Sequence, residues 1–183
     1  MDIFKNVIDK EFARYCLDSI KKIENCPVWA SSTLHWPEGI KQGITGSCVI
    51  TPADDDLKNK VLARVKDYLP ETASDITVML CIWQQYSGLS THTDHDYTFA
   101  ATIYLNDFWN VDWGGIFLYY NKDIDWNGVY PYETAMKDSE NWKVVIPDCG
   151  TMVLNANQKM HMVTPMSPLS PNFRYTIQIW GHC

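Results

Sequence analysis

Between Ser90 and Tyr97 the chain reads Ser-Thr-His-Thr-Asp-His-Asp-Tyr, which sets His92, Asp94, His95 and Asp96 side by side. Imidazole nitrogen and carboxylate oxygen are ligands that first-row divalent metals accept, so the chemistry suggested is metal binding. The stretch follows an apolar, strand-like run, and side chains on an extended chain alternate between faces. Residues two apart share a face and residues three apart oppose one another. His92 and Asp94 can therefore reach one ion together, whereas His92 and His95 cannot without a bulge. A histidine and a carboxylate at this spacing are two of the three ligands of the facial triad that holds Fe(II) and leaves further positions open. His95 and Asp96 are then expected outside the ligand set.

A third ligand must come from elsewhere. The remaining histidines are His35, in a Gly- and Ser-rich stretch, His182, the penultimate residue, and His161, which opens the apolar run His161-Met162-Val163-Thr164-Pro165. A lone histidine on an apolar strand is commonly structural. The upstream His-x-Asp makes His161 the candidate ligand. A second polar residue in an apolar strand is Arg174, which opens Arg174-Tyr175-Thr176-Ile177-Gln178-Ile179-Trp180 and shares a face with Thr176, Gln178 and Trp180. A guanidinium on an inward face needs an anionic partner, and a carboxylate matches its fork. The alternative is an Arg at a strand end paired to an acid of the protein itself.

The elements that must carry these residues are mostly strands. Apolar residues at helical spacing (Phe12, Tyr15, Cys16, Ile20, Ile23) predict a helix over 9–24, followed by a loop rich in Ser, Gly and Pro up to Ser47. A second helix is predicted from Asp54-Asp55-Asp56 through Leu57, Val61, Val65 and Leu69 to Pro70; the three aspartates read as capping residues rather than as a cation loop. Strands are predicted over 76–86, 98–106, 115–120, 151–155, 160–164 and 174–180. Many short strands after a helical front suggest a β-sandwich or jelly roll. The segment 121–141 is too long for a hairpin turn and is expected as a lid, a binding wall or a surface excursion.

At 183 residues, 46% hydrophobic, with 8 Trp and 10 Tyr, the chain suits one folded domain over 1–183. A net charge of −7 without a basic stripe argues against broad nucleic-acid binding. No apolar run is long enough to span a bilayer and the N-terminus lacks a signal-peptide layout, so no membrane partner and a cytoplasmic location are expected. The six cysteines form no C-x-x-C pair and are expected to be reduced.

Taken in order, His92-Thr93-Asp94, Ile103-Tyr104-Leu105-Asn106, Trp113-Gly114-Gly115, Pro147-Asp148-Cys149-Gly150, His161-Met162-Val163-Thr164-Pro165 and Arg174 to Trp180 resemble the Fe(II)/2-oxoglutarate-dependent dioxygenases of the prolyl 4-hydroxylase type. The resemblance covers roughly 76–182. It implies a mainly β (α+β) double-stranded β-helix, a cupin-like jelly roll, with the N-terminal helices of residues 1–75 packed on one sheet. It further implies that His92, Asp94 and His161 bind iron, with no other catalytic residue. Arg174 would hold the distal carboxylate of 2-oxoglutarate, with Tyr104, Tyr86 and Thr176 bordering the same pocket, and O2 as the other cosubstrate and ascorbate as a reductant. Gly114 and Gly115 would be structural. Family members often carry Lys at the Arg174 position, and the link from His161 to Arg174 holds Pro165, Pro168 and Pro171.

A prolyl residue in a peptide or protein is the substrate the resemblance implies, gripped by aromatic residues such as Trp29, Trp36, Trp126, Tyr130 and Tyr132 of the two long loops. A free amino acid or other small molecule is the alternative. Two rival readings keep the fold: a cupin-like metal enzyme that does not use 2-oxoglutarate, disfavoured by Arg174, and a non-catalytic binding module, disfavoured by the triad.

Overall fold

Asp9 and Asp54 each start a helix by accepting a hydrogen bond from a backbone N–H three residues on. Phe12 N donates to Asp9 Oδ1 at 2.7 Å ahead of α1 (Lys10–Glu24), and Leu57 N to Asp54 Oδ1 at 2.8 Å ahead of α2 (Asp55–Val65). The run of aspartates at 54–56 is thus a cap followed by acids in a first turn. Residues Ala13, Cys16 and Ile20 of α1 are fully buried, while Tyr15 lies at the edge of the stripe, 40% exposed, and reaches α2 by donating to Asp56 at 3.2 Å. Helix α2 ends at Val65 and tightens into a 3-10 turn over Lys66–Tyr68, earlier than the sequence pattern suggests. Leu69 is extended because it precedes Pro70, whose ring disfavours a helical conformation there.

This computed structural model describes residues 1–24, 44–45, 48–94, 96–124 and 131–183. His35, His95, Trp29, Trp36, Trp126, Tyr130 and the side chain of Tyr132 lie outside the described residues, as does most of the 31–47 loop. Two antiparallel sheets face each other. One has the order β1 (Asp2–Phe4), β9 (Met152–Asn155), β6 (Phe99–Tyr104), β11 (Arg174–His182), β4 (Ser74–Trp83) and β3 (Cys48–Pro52). The other has the order β2 (Ile44–Thr45), β5 (Gly88–His92), β10 (His161–Val163), β7 (Phe117–Tyr120) and β8 (Trp142–Val145). The result is a jelly roll with helices on one outer face, the double-stranded β-helix expected.

The alternation along the strands divides the interior into two cores. Tyr175, Ile177 and Ile179 of β11, with Val78, Leu80 and Ile82 of β4, pack outward against Phe12, Cys16, Ile20 and Val61 of the helices. Burying a side chain such as Ile177 stabilises the fold by about 1.5–3 kcal/mol. Their neighbours Cys81, Trp83, Tyr104 and Trp180 point the other way, into the space between the sheets. That inner space contains the polar residues of interest.

Several elements escape a single-sequence reading. β1, β2, β3, β5, β8 and the short helix α3 (Pro131–Lys137) are short or lack clear periodicity. β4 ends at Trp83 rather than at residue 86, because Ser87 closes a turn on Gln84: its N–H and Oγ donate to Gln84 O at 3.0 and 2.6 Å. Within 121–141, Asp138 accepts hydrogen bonds from Tyr120 Oη, Lys122 Nζ and Asn141 Nδ2, and Trp142 Nε1 donates to Ala135 O at 2.9 Å. The described part of this segment is therefore tied to the sheet edge. Among the described residues no helix is long and apolar enough to cross a membrane.

Candidate metal centre and anion pocket

His92 ends β5 and His161 opens β10, and the two are paired across the antiparallel ladder, with ring centroids 4.2 Å apart. Strand pairing thus joins residues far apart in sequence. Asp94 lies just past the end of β5, where its carbonyl accepts from Tyr97 N to start a turn. It still faces His92: His92 Nε2 is 3.9 Å from Asp94 Oδ1, and His161 Nε2 is 3.4 Å from Asp94 Oδ2. One ligand atom from each of the three lies within 4.8 Å of the others, in side chains only 8–11% exposed. The expected trio is brought together.

The orientation of both rings follows from backbone carbonyls. His92 Nδ1 is 2.8 Å from Ser90 O and His161 Nδ1 is 2.9 Å from Lys159 O. A carbonyl oxygen only accepts, so each Nδ1 carries a proton, and Nε2 is the atom that each ring turns towards Asp94 and offers to a metal. Phe117 stacks on His161 at 5.2 Å. Two imidazoles and a carboxylate, partly desolvated and converging, form the donor set that suits non-haem Fe(II).

The same cavity extends to Arg174, the first residue of β11, which is 1% exposed. Its guanidinium carbon is 5.4 Å from the Trp83 ring and 5.1 Å from the Tyr104 ring. Nε and Nη1 of Arg174 and the hydroxyl of Tyr104 are buried without a hydrogen-bond partner among the described residues. Burial pushes the nearby Cys48 thiol up to about 12 and raises Cys81 and Tyr104, although the Arg174 charge pulls each partly back. These neighbours stay neutral, and among the described residues Arg174 has no carboxylate in ion-pair contact. A buried cation whose Nε and Nη1 lack partners among the described residues, beside a buried hydroxyl, has the chemistry to accept an anion such as a carboxylate.

Two residues outside the pocket fix this arrangement. Asn106 accepts from Tyr175 N at 2.8 Å and donates to Phe173 O at 2.9 Å, clamping the backbone on either side of Arg174. Gly115 has φ +61°, and a Cβ there would stand 3.0 Å from Arg174 Cδ, so glycine makes room for the arginine stem.

The other expected pocket residues fare differently. Thr176 is fully buried beside Tyr104 in the register, and its oxygen accepts from Trp83 Nε1 at 3.2 Å and Gln178 Nε2 at 3.4 Å. Tyr86 does not line the cavity: it sits in the turn after β4 with φ 66° and is 62% exposed. The turn at 84–87 carries it away from the inner face. Trp83, three residues earlier on the inward face of β4, lines the cavity instead. Asn155, an amide ending the apolar strand Met152-Val153-Leu154, is another cavity residue that the sequence pattern did not single out. A polar residue at an inward strand position was the available signal.

Comparison with known proteins agrees with this geometry. A family model described as the 2OG-Fe(II) oxygenase superfamily matches residues 77–182. No curated protein matches the chain by sequence. Among solved structures, a Pseudomonas putida prolyl-4-hydroxylase superposes with a TM-score of 0.68 at 15% identity, covering 98% of this chain and 90% of that one. A Trichoplax adhaerens prolyl hydroxylase in complex with a hypoxia inducible factor peptide fragment gives 0.65 at 18% identity, covering 98% and 82%. HygX from Streptomyces hygroscopicus, with nickel, 2-oxoglutarate and hygromycin B bound, gives 0.66 at 12% identity, covering 98% and 82%. At such identities the likeness establishes the shared fold.

Proposed function

The chain belongs to the 2OG-Fe(II) oxygenase superfamily, and from that premise we propose that it hydroxylates a C–H bond of a prolyl residue in a peptide or protein, with Arg174 anchoring 2-oxoglutarate. The observation that carries this reading is that the His92/Asp94/His161 trio and Arg174 line one cavity, with Arg174 Nε and Nη1 and the adjoining Tyr104 hydroxyl buried and without a hydrogen-bond partner among the described residues. Fe(II), 2-oxoglutarate and O2 together would supply hydroxylation of a C–H bond coupled to oxidative decarboxylation of the 2-oxo acid to succinate and CO2, one oxygen atom of O2 going to each product.

The chain's own residues bind and orient. His92, Asp94 and His161 hold the ion, with Ser90 O and Lys159 O keeping the imidazoles in the required tautomer. Arg174 and Tyr104 take the distal carboxylate of the cosubstrate, and Thr176 and Trp83 pack beside it. Leu89, Val153, Val163 and Trp180 give the cavity apolar walls that exclude water. Support for a prolyl substrate comes from the fold shared with two prolyl hydroxylases and from the apolar wall at Trp180, which suits a saturated ring. A small-molecule substrate is the second reading, favoured by the same fold in HygX with hygromycin B bound.

The test supplies the Fe(II)-loaded protein with 2-oxoglutarate and O2, and offers proline-containing peptides and free amino acids separately. Succinate release and a mass gain of one oxygen on a peptide are expected. Oxygen incorporation only into small molecules overturns the prolyl reading. An Fe(II) complex that develops no 2-oxoglutarate-dependent visible absorption overturns the Arg174 anchor.

A further inference from the structure

Asn155 ends β9 inside the cavity and is 4% exposed. Its amide is oriented by the backbone of Lys159: Lys159 N donates to Asn155 Oδ1 at 2.8 Å, and Asn155 Nδ2 donates to Lys159 O at 3.1 Å. Exchanging the amide oxygen and nitrogen would set donor against donor and acceptor against acceptor, so this assignment is determined. The second Nδ2 proton is then directed at Asp94 Oδ2, 3.4 Å away. The 3.5 Å approach of Nδ2 to His161 Nδ1 brings two donors together and carries no bond, since the His161 proton goes to Lys159 O.

One amide therefore touches both long-range parts of the metal site. It donates to the carboxylate ligand, and it holds the carbonyl that orients the second imidazole. The turn from 155 to 161 has a separate restraint, because Lys159 Nζ bonds Asp123 Oδ1 at 2.5 Å and Asn121 O at 3.5 Å. Holding the turn is thus not left to Asn155 alone. A carboxylate oxygen occupied by an N–H is a poorer metal ligand than its free partner, so the amide biases Asp94 towards binding through one oxygen. A six-coordinate ion held by three protein atoms would keep three positions free, and a bidentate carboxylate would take one of them.

We propose that Asn155 is a positioning residue of the metal centre, keeping Asp94 monodentate and His161 in its metal-binding orientation. The inference rests on the metal trio and is independent of the substrate class.

The test compares anaerobic Co(II) binding to the wild-type protein, Asn155→Ala and Asn155→Asp, reading affinity, the visible Co(II) spectrum and thermal unfolding of the metal-free protein. The aspartate variant keeps an acceptor for Lys159 N and loses the donor to Asp94, so it stays informative if the alanine variant fails to fold. Both variants are expected to bind Co(II) about 10–100-fold more weakly, as for other outer partners of metal ligands, and to show a Co(II) spectrum of changed intensity. Variants that unfold earlier yet keep wild-type Co(II) affinity and spectrum would reduce Asn155 to a turn-holding residue and overturn the proposal. A wild-type protein that takes up no Co(II) would overturn the metal site itself, and this inference with it.

Discussion

The two ends of the cavity are built on opposite principles. At the metal end the polar atoms that do not face the ion have partners within the protein: Ser90 O, Lys159 O and the Asn155 amide engage His92, His161 and Asp94. At the Arg174 end the stem is wedged by Gly115, Trp83 and Tyr104, but Nε and Nη1 have no hydrogen-bond partner among the described residues. Hydrogen bonds preorganise one end and packing the other. The first gains stability from its satisfied groups, whereas the second carries a buried charge with no acidic partner among the described residues, the group that the proposed function assigns to a bound carboxylate.

Removing a ligand should have the largest effect. His161→Ala is expected to lower Fe(II) or Co(II) affinity by more than the roughly 100-fold upper range of outer-partner changes, measured by metal titration, with the circular dichroism of the fold retained. Retained affinity would mean that the ion is held elsewhere. At the other end, Arg174→Ala should leave metal affinity in place and weaken 2-oxoglutarate binding by about 2–5 kcal/mol, the cost of losing one partner of a buried charge pair. An anaerobic absorption titration checks this, and loss of the metal instead would erase the distinction between the two ends.

The same contrast predicts opposite signs in the absence of ligand. Arg174→Met should raise the stability of the ligand-free protein by about 1 kcal/mol or more in urea unfolding, because it removes an uncompensated buried charge. Destabilisation would show that the guanidinium is already satisfied. Tyr104→Phe should weaken 2-oxoglutarate binding by about 1.5–3 kcal/mol, the range for a hydrogen bond to a charged group, and leave ligand-free stability nearly unchanged.

A site at neither end should move least. Hydrogen bonds from Asn141, Lys122 and Tyr120 hold the Asp138 carboxyl down to about 2. Its folded value lies below the unfolded one, near 3.9. Its contribution to stability is therefore present above that unfolded value and fades as the pH falls towards 2. Asp138→Asn should flatten the acid limb of the stability profile without altering metal or 2-oxoglutarate affinity.

Much of the site was legible in the chain because its signals are local. Two-residue parity pairs His92 with Asp94, which do converge although β5 ends at His92, while His95 lies outside the described residues; the alternation along 174–180 sets Arg174, Gln178 and Trp180, which line the cavity, apart from Tyr175, Ile177 and Ile179, which pack in the outer core. The misplacement of Tyr86 has an equally local cause. Nothing in Gln84-Gln85-Tyr86 marks a turn, yet the strand breaks there and Trp83 takes the place by the pocket.

The sequence by itself determined which residue types could bind a metal and an anion, the period of the strands that present them, and the family's ordered motifs. Only the tertiary structure decided that His161 meets His92 across a ladder, that Asn155 reaches Asp94, and that Arg174 is buried with Nε and Nη1 unpartnered among the described residues. The physical reason is range. Parity and capping act within a few residues, whereas the partner of a buried polar atom is set by strand pairing between segments some seventy residues apart.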